Sequence, residues 1–403
     1  MHILFLSTWY PYPPDNGYKQ RVYHLLRALT RNHEVTLVSF AFDDAQPNKQ
    51  DDLHNWCRDV HFVPLNPFVV NRAGGLHTFL SLRPVASRPV PQMGRLVEQV
   101  IQSTAFDIYI ASTEMMSEYV LAAGNGPIKI FEGHNSMTRW KQDRFQNAAS
   151  PLQQARHWLG LQKRRRFESR YYPRFDLITM VSEDDRLLTL ETVGTNAPPV
   201  VTIPNGVDVH LNRPGLAQVK SCGLVYNGSL TYIANYDAMR YFLAEIFPLI
   251  KREVPEAELT ITGSTKGVDL NGLSLDGGVS LTGYVDDVRI PVAEAAVCVV
   301  PIRQGSGTRL KILEAMALGT PVVATSKAAQ GLDIVDGENI LLADDPVTFA
   351  ACTVTLLHDP RRREFLAANA RRLVEEQYDW NQIGQDFVTL VERTVANKNK
   401  QPW

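Results

Sequence analysis

A chain of 403 residues is too long for one ordinary hydrophobic core, and two domains are expected. With 44% hydrophobic and 21% charged residues the composition excludes an extended disordered protein, and a formal net charge of -2 argues against a nucleic-acid binder, which carries a basic excess. The four cysteines, Cys57, Cys222, Cys298 and Cys352, are scattered without CxxC spacing and read as buried thiols in a reducing compartment. The opening MHILFLSTWYPYPP has no basic n-region and no small-residue cleavage site, so Ile3 to Ser7 is read as a first strand rather than a signal peptide. No apolar run reaches transmembrane length, and a cytoplasmic protein, at most touching the inner face of the membrane, is expected.

In chain order, His2 to Thr8 and Glu34 to Phe40 are apolar runs separated by the helical pattern Val22, Leu25, Leu26, Leu29, which predicts a βαβ unit with parallel pairing. The first loop, Trp9 to Lys19, then lies at the carboxyl edge of the sheet, where open α/β folds bind ligands. There Gly17 either lets the backbone approach a donor phosphate or acceptor, or simply starts a helix. A GxGxxG fingerprint is missing after the first strand, which counts against a dinucleotide cofactor.

Val60 to Leu65 reads as a strand. The segment from Asn66 to Pro91 interleaves Phe68, Val69, Val70, Leu76, Phe79 and Leu80 with Arg72, Arg83 and Arg88, and fits either an amphipathic hairpin packed on its own domain or a lipid-facing acceptor surface. Asp107 to Ser112 and Ile128 to Gly133 are the next strands, and the second runs into Glu132-Gly133-His134-Asn135, a polar cluster at a strand end. A helix is predicted over Pro151 to Phe175. Its basic run Lys163-Arg164-Arg165-Arg166 is either a solvated face or a contact for an anionic membrane. Leu177 to Ser182 and Val200 to Pro204 are strands around a helix over Glu183 to Val193, capped by Ser182.

A second α/β series opens with a strand over Cys222 to Tyr226 and the turn Asn227-Gly228-Ser229. Strands follow at Glu258 to Thr262, Val279 to Thr282 and Ala296 to Ile302, and Asn339 to Ala343 is the last of roughly six. Gly305-Ser306-Gly307-Thr308 then allows a tight turn and close approach to a ligand, before a helix in which Leu310, Leu313 and Ala317 face the core while Lys311 and Glu314 share another face. A glycine loop at a helix start, with Arg309 and Lys311 beside it, suits a diphosphate, and Glu314 suits the vicinal hydroxyls of a ribose. The same pattern also fits an ordinary βαβ crossover. Asp286-Asp287 and Asp344-Asp345 read as helix-start residues, so no metal site is assigned.

The stretch VPIRQGSGTRLKILEAMALGTPVVA from Val300 to Ala324 resembles the nucleotide-sugar motif of retaining glycosyltransferases of family 4, which have the GT-B fold. In that family two glutamates bracket the loop and helix. Glu314 matches the second and Ser306 stands at the first, as in a sub-group with GSGTRLKILEA. The resemblance implies that His134 faces the donor sugar and that backbone at Tyr284 and Val285 holds the nucleobase. Many relatives take diphosphate-binding charge from a lysine after the Asn227-Gly228-Ser229 turn; here Asn235 occupies that neighbourhood and no basic residue precedes Arg240, a departure from the pattern, and the role is assigned to Arg309 and Lys311 instead. It also implies that the last helix, Asn381 to Val395, packs back on the first domain.

The expectation is an α/β protein of two Rossmann-like domains with parallel sheets facing across a cleft: an acceptor-binding domain over residues 1–208, a donor-binding domain over 209–380, and a terminal helix over 381–403. The expected reaction moves a sugar from a nucleotide diphosphate sugar to a glycan or lipid-linked acceptor in cell-surface polysaccharide or glycolipid biosynthesis, retaining and independent of metal, with no cofactor beyond the donor. His134, Arg309 and Lys311 are the expected catalytic residues; Gly17, Asn227, Gly228, Ser229, Tyr284, Val285, Ser306, Gly307, Thr308 and Glu314 are expected at the donor. A nucleotide-sugar epimerase or phosphorylase of the same architecture, or a non-catalytic partner of a transferase, stays open.

Overall fold

The computed structural model describes residues 1–42, 51–69, 89–305 and 307–400, with side chains to 398. Ser306 and most of the segment between Asn66 and Pro91, including Val70, Arg72, Leu76, Phe79, Leu80, Arg83 and Arg88, lie outside the described residues. Two units emerge, residues 1–204 with 381–403 and residues 205–380. The division falls between Pro204 and Asn205 rather than after Asp208, since Val207 N–H donates to Tyr378 O at 2.8 Å and ties this stretch to the second unit.

The first unit holds a parallel sheet of seven strands: β1 (His2–Ser7), β2 (Glu34–Phe40), β3 (Asp59–Val63), β4 (Ile108–Ser112), β5 (Ile128–Glu132), β6 (Leu177–Met180) and β7 (Val200–Thr202). Their order is β3-β2-β1-β4-β5-β6-β7. The central strands read as continuous apolar runs because helices cover both faces: all five residues of β4 and of β5 are buried. Strand order reverses between β1 and β4, so the loops leaving their carboxyl ends part there and open a crevice.

The second unit repeats the plan with six strands: β8 (Lys220–Asn227), β9 (Glu258–Thr262), β10 (Val279–Gly283), β11 (Ala295–Val300), β12 (Val322–Ala324) and β13 (Leu341–Leu342), in the order β10-β9-β8-β11-β12-β13, all parallel. The reversal here lies between β8 and β11. The motif helix, Leu310–Ala317, buries Ile312, Leu313, Ala315, Met316 and Ala317 and leaves Lys311 and Glu314 partly exposed. It ends at Gly319, whose φ of +78° is the left-handed conformation that stops a helix without strain.

The last helix, Trp380–Lys400, belongs from Asn381 onward with the first unit. Gly384 lets it approach Ala28 so closely that an added Cβ would fall 2.7 Å from the Ala28 Cβ, and Lys398 Nζ reaches Asp176 at 3.0 Å.

The basic run at Lys163 is not the uniform charged face that its sequence suggests. Arg164 is turned inward, where its Nε meets Glu168 at 2.6 Å and an Nη2 meets Glu114 at 2.7 Å. A buried guanidinium needs such acceptors to offset its lost hydration.

Candidate functional site

In the first unit, β4 and β5 deliver Ser112 and Glu132 to the carboxyl edge of the sheet, and the loop after β5 brings His134 back over them. Glu132 is fully buried, and its two oxygens divide the work. One accepts Arg21 Nε at 2.5 Å; the other accepts Ser112 Oγ at 2.7 Å and faces His134 Nε2 at 2.8 Å. Burial alone would raise the Glu132 pKa, but His134 and Arg21 outweigh it and hold the carboxyl far below the usual carboxylate range. Arg21 also donates to Pro204 O at 2.9 Å. Next to Ser112, Thr113 has φ +78°, a conformation that a β-branched residue adopts only when the surroundings impose it.

Aromatic rings line the rim. Tyr18 stacks on the His134 ring at 5.2 Å, Trp9 on Tyr18 at 4.5 Å and Phe68 on Trp9 at 5.0 Å. The His134 ring is therefore held between the Glu132 carboxylate at its Nε2 and the stacked ring of Tyr18. Gly17 opens the helix Gly17–Leu29, but the Asn16 side chain already accepts from the Tyr18 and Lys19 N–H groups, each at 3.1 Å. Those amides are not open to a phosphate.

In the second unit, β8 ends at Asn227 and β11 runs into the glycine loop, on the two sides of the strand-order reversal. Gly305 and Gly307 have φ of +106° and +87°, as the tight turn requires. The helix that follows starts at Leu310 with no side-chain cap among the described residues, unlike the helix at Gly17, so its first N–H groups face the loop. Beside it, Thr308 Oγ1 is buried and has no hydrogen-bond partner among the described residues. Arg309 Nη2 donates to Gln304 O at 3.4 Å.

Lys311 leaves this helix and crosses to the β8 loop. Its Nζ lies 3.9 Å from the centroid of the Tyr226 ring and donates to Asn235 Oδ1 at 3.2 Å. An added Cβ on Gly228 would fall 2.5 Å from that Nζ, so only glycine leaves room for the ammonium there. Burial pushes the Lys311 pKa down to about 7; Arg309 pushes the same way, against the pull of Cys298 and Glu314. One turn on, Glu314 Oε2 accepts Asn227 Nδ2 at 3.1 Å. The sequence pairs Lys311 with Glu314 on one helix face, and the fold gives both the same neighbour, the turn after β8.

Three residues expected at the donor, Asn227, Gly228 and Glu314, are thus brought together with Lys311, which was expected in catalysis. Ser229 turns away toward β9, donating to Ser264 O at 3.0 Å. Tyr284 is 76% exposed and, with the half-buried Val285, follows β10 at the edge of the sheet, two strands from β8. Ser306 lies outside the described residues. Arg21, Ser112 and Asn235 were not foreseen as site residues. The available signal for Arg21 was an arginine beside Val22 on the apolar stripe of a helix, where a charge needs a buried partner. Among the described residues no group of three or more His, Cys, Asp or Glu side chains is placed to hold a metal, and no helix is long and apolar enough to cross a membrane.

Two family models match: Glycosyltransferase Family 4 over residues 16–211, and Glycosyl transferases group 1 over residues 221–359. An uncharacterized 44.6 kDa protein in the cps region of Klebsiella pneumoniae is 22% identical across 94% of this chain and 97% of its own length. The phosphatidyl-myo-inositol mannosyltransferase of Mycobacterium leprae is 29% identical, over 55% of this chain and 60% of that protein. Among solved structures, sucrose-phosphate synthase from Thermosynechococcus elongatus shares the fold with a TM-score of 0.75 at 18% identity, covering 98% of this chain and all of its own. The Anabaena protein HepE, solved with UDP-glucose, does so with a TM-score of 0.68 at 15% identity, over 98% of this chain and 100% of its own. Two parallel sheets with a glycine-loop cluster at the strand-order reversal of the second, and two family models that between them run from residue 16 to residue 359, place the chain among the group 1, family 4 glycosyltransferases of GT-B fold.

Proposed function

We propose that this glycosyltransferase moves a sugar from a nucleotide diphosphate sugar to a hydroxyl of a glycan or lipid-linked acceptor in cell-surface polysaccharide or glycolipid assembly, with retention of anomeric configuration. The observation that carries the reading is the helix start at Leu310, uncapped by any side chain among the described residues, flanked by the Thr308 hydroxyl, which has no partner among them, and by the Lys311 side chain above Gly228. This geometry suits a diphosphate. The N–H groups and the hydroxyl donate to its oxygens, and Arg309 and Lys311 balance the negative charge that grows as the sugar departs. Those two cations and the helix start do the work that a metal would do elsewhere. Glu314, oriented by Asn227, holds the ribose hydroxyls. His134, fixed by Glu132 and Tyr18, meets the donor sugar.

Relatives support the acceptor class: one lies in a cps region, and another is named for transfer of mannose to phosphatidyl-myo-inositol. UDP-glucose in the Anabaena protein makes a uridine donor the first to try. Calorimetric titration with UDP, GDP, ADP and dTDP, without added metal, tests the site. One nucleotide should bind in the micromolar range, and Glu314→Ala should lose it. Binding of none, with or without magnesium, would overturn the reading in favour of a non-catalytic partner.

A further inference from the structure

The antiparallel hairpin of the helices Met137–Gln146 and Pro151–Tyr171 carries a charge unlike the rest of the chain. Residues 137–171 contain nine Lys or Arg and two acids, Asp143 and Glu168, in a protein of net charge -2. Glu168 is buried and committed to Arg164, so it neutralises nothing at the surface.

On the second helix, Leu152, Arg156, Leu159, Lys163, Arg166 and Arg170 recur at steps of four and three, which draws one line along a helix. Leu161 and Glu168 face the other way and are buried, and Phe167, also buried, marks the margin between the two sides. Leu152 is 82% exposed, and Arg156, Leu159, Arg166 and Arg170 are exposed with it. No acid interrupts the line, which at 1.5 Å per residue runs about 27 Å. Trp158, also exposed, flanks its apolar end. On the neighbouring helix Lys141 and Arg144 sit over the Trp140 ring at 5.1 and 4.9 Å. The cations crowd one another: Lys141 and His157 are both held below their ordinary pKa, first by desolvation and then by Arg144 and Arg156 among their neighbours.

A soluble polyanion would use the charges but not the exposed leucines and tryptophan. A bilayer surface uses both, since apolar side chains enter the interface while basic ones meet phosphate. We propose that this hairpin is a peripheral docking surface for an anionic phospholipid bilayer, with the helix Pro151–Tyr171 lying along the headgroups. Leu152, Trp158 and Leu159 enter the interface, and Arg156, Arg166 and Arg170 pair with lipid phosphates. The surface extends the proposed function by bringing the enzyme to acceptors held in a membrane, but it does not depend on the donor chemistry.

Flotation of the full chain with phosphatidylcholine vesicles, and with phosphatidylcholine mixed with phosphatidylglycerol, tests it. Recruitment to the mixed vesicles alone is expected, weakening with salt. The combined variant Arg156→Glu, Arg166→Glu, Arg170→Glu should lose more than about a hundredfold in partitioning, at about fivefold per charge. Leu152→Ser with Trp158→Ser should lose about tenfold. Both variants should keep the wild-type melting midpoint and UDP affinity, read on the same samples, so a failure here leaves the transferase reading standing. Absence of wild-type flotation, equal recruitment to neutral vesicles, or undiminished recruitment of the charge-reversed variant would overturn the proposal. Binding to heparin without flotation would do the same, assigning the patch to a soluble polyanion.

Discussion

Lys311 and Tyr226 stand in a cation–π contact, with the ammonium 3.9 Å from the ring centroid, at the point where the carboxyl end of β8 meets the helix after the glycine loop. Burial strips water from the lysine, Arg309 adds to the effect, and the pKa is pushed down to about 7 although the ring face, Cys298 and Glu314 favour the charged form. A diphosphate arriving beside it reverses the balance. Binding of UDP at pH 8 should therefore take up close to one proton, seen as a dependence of the calorimetric heat on the ionisation enthalpy of the buffer. Lys311→Arg, always charged, should bind without that uptake, and Lys311→Met should cost roughly a hundredfold or more in kcat. Equal heats in all buffers would remove the titrating role from Lys311.

The same shift bears on stability. Between pH 7 and 10.5 the unfolded chain keeps a proton on Lys311 that the folded chain gives up, so stability rises with pH across this window. Urea melts of wild type should show the rise, and those of Lys311→Met should show a shallower one.

Glu314 is expected to act through binding. Glu314→Gln keeps the size of the side chain but weakens a charge-assisted interaction with the ribose, so the donor KM should rise about tenfold to a hundredfold with kcat changed far less. Asn227→Ala, which frees the carboxylate from its 3.1 Å contact, should move KM in the same direction by a smaller factor. A fall in kcat at constant KM would place Glu314 in the chemistry instead.

Gly228 and Gly263 should separate function from fold. A Cβ at Gly228 meets the end of a flexible lysine, so Gly228→Ala should displace Lys311 and impair the donor site with little change in melting midpoint. Gly263 has φ +98°, and its Cβ would fall 2.6 Å from the backbone N of Ser229. Gly263→Ala should therefore cost about 1–3 kcal/mol of stability, measured by denaturant melts.

Arg21 and Glu132 form a buried pair at 2.5 Å. Removing one partner alone leaves a buried charge, so Arg21→Met should cost about 3–5 kcal/mol, and Arg21→Met with Glu132→Gln should recover much of that. Because the folded pKa of Glu132 is depressed, the pair's stability is complete above the ordinary value of 4.5 and is lost as pH falls below it. Glu132→Gln should flatten the acid limb of the stability curve.

Much of the fold is local and was legible. Apolar runs of strand length, separated by helical periodicity, predict parallel α/β units, and β2, β9 and the helix Glu183–Val193 fall on the expected residues. The placing of Lys311 and Glu314 on one face of the helix behind the glycine loop was legible because they lie three positions apart, within one helical turn.

The tertiary structure alone decided what each of these residues faces. Arg164 looks in sequence like one charge of four, and Arg21 like one polar residue of a helix. Only the packing of distant segments turns them inward, Arg164 toward Glu114 and Arg21 toward Glu132. Asn235 and Gly228 likewise meet Lys311 because β8 and β11 are neighbours in the sheet while far apart in the chain. The lysine's charge state follows from that meeting. Sequence determines which groups the chain carries and at what local spacing; desolvation and partner choice, which set their chemistry, arise only when strand order brings remote segments together.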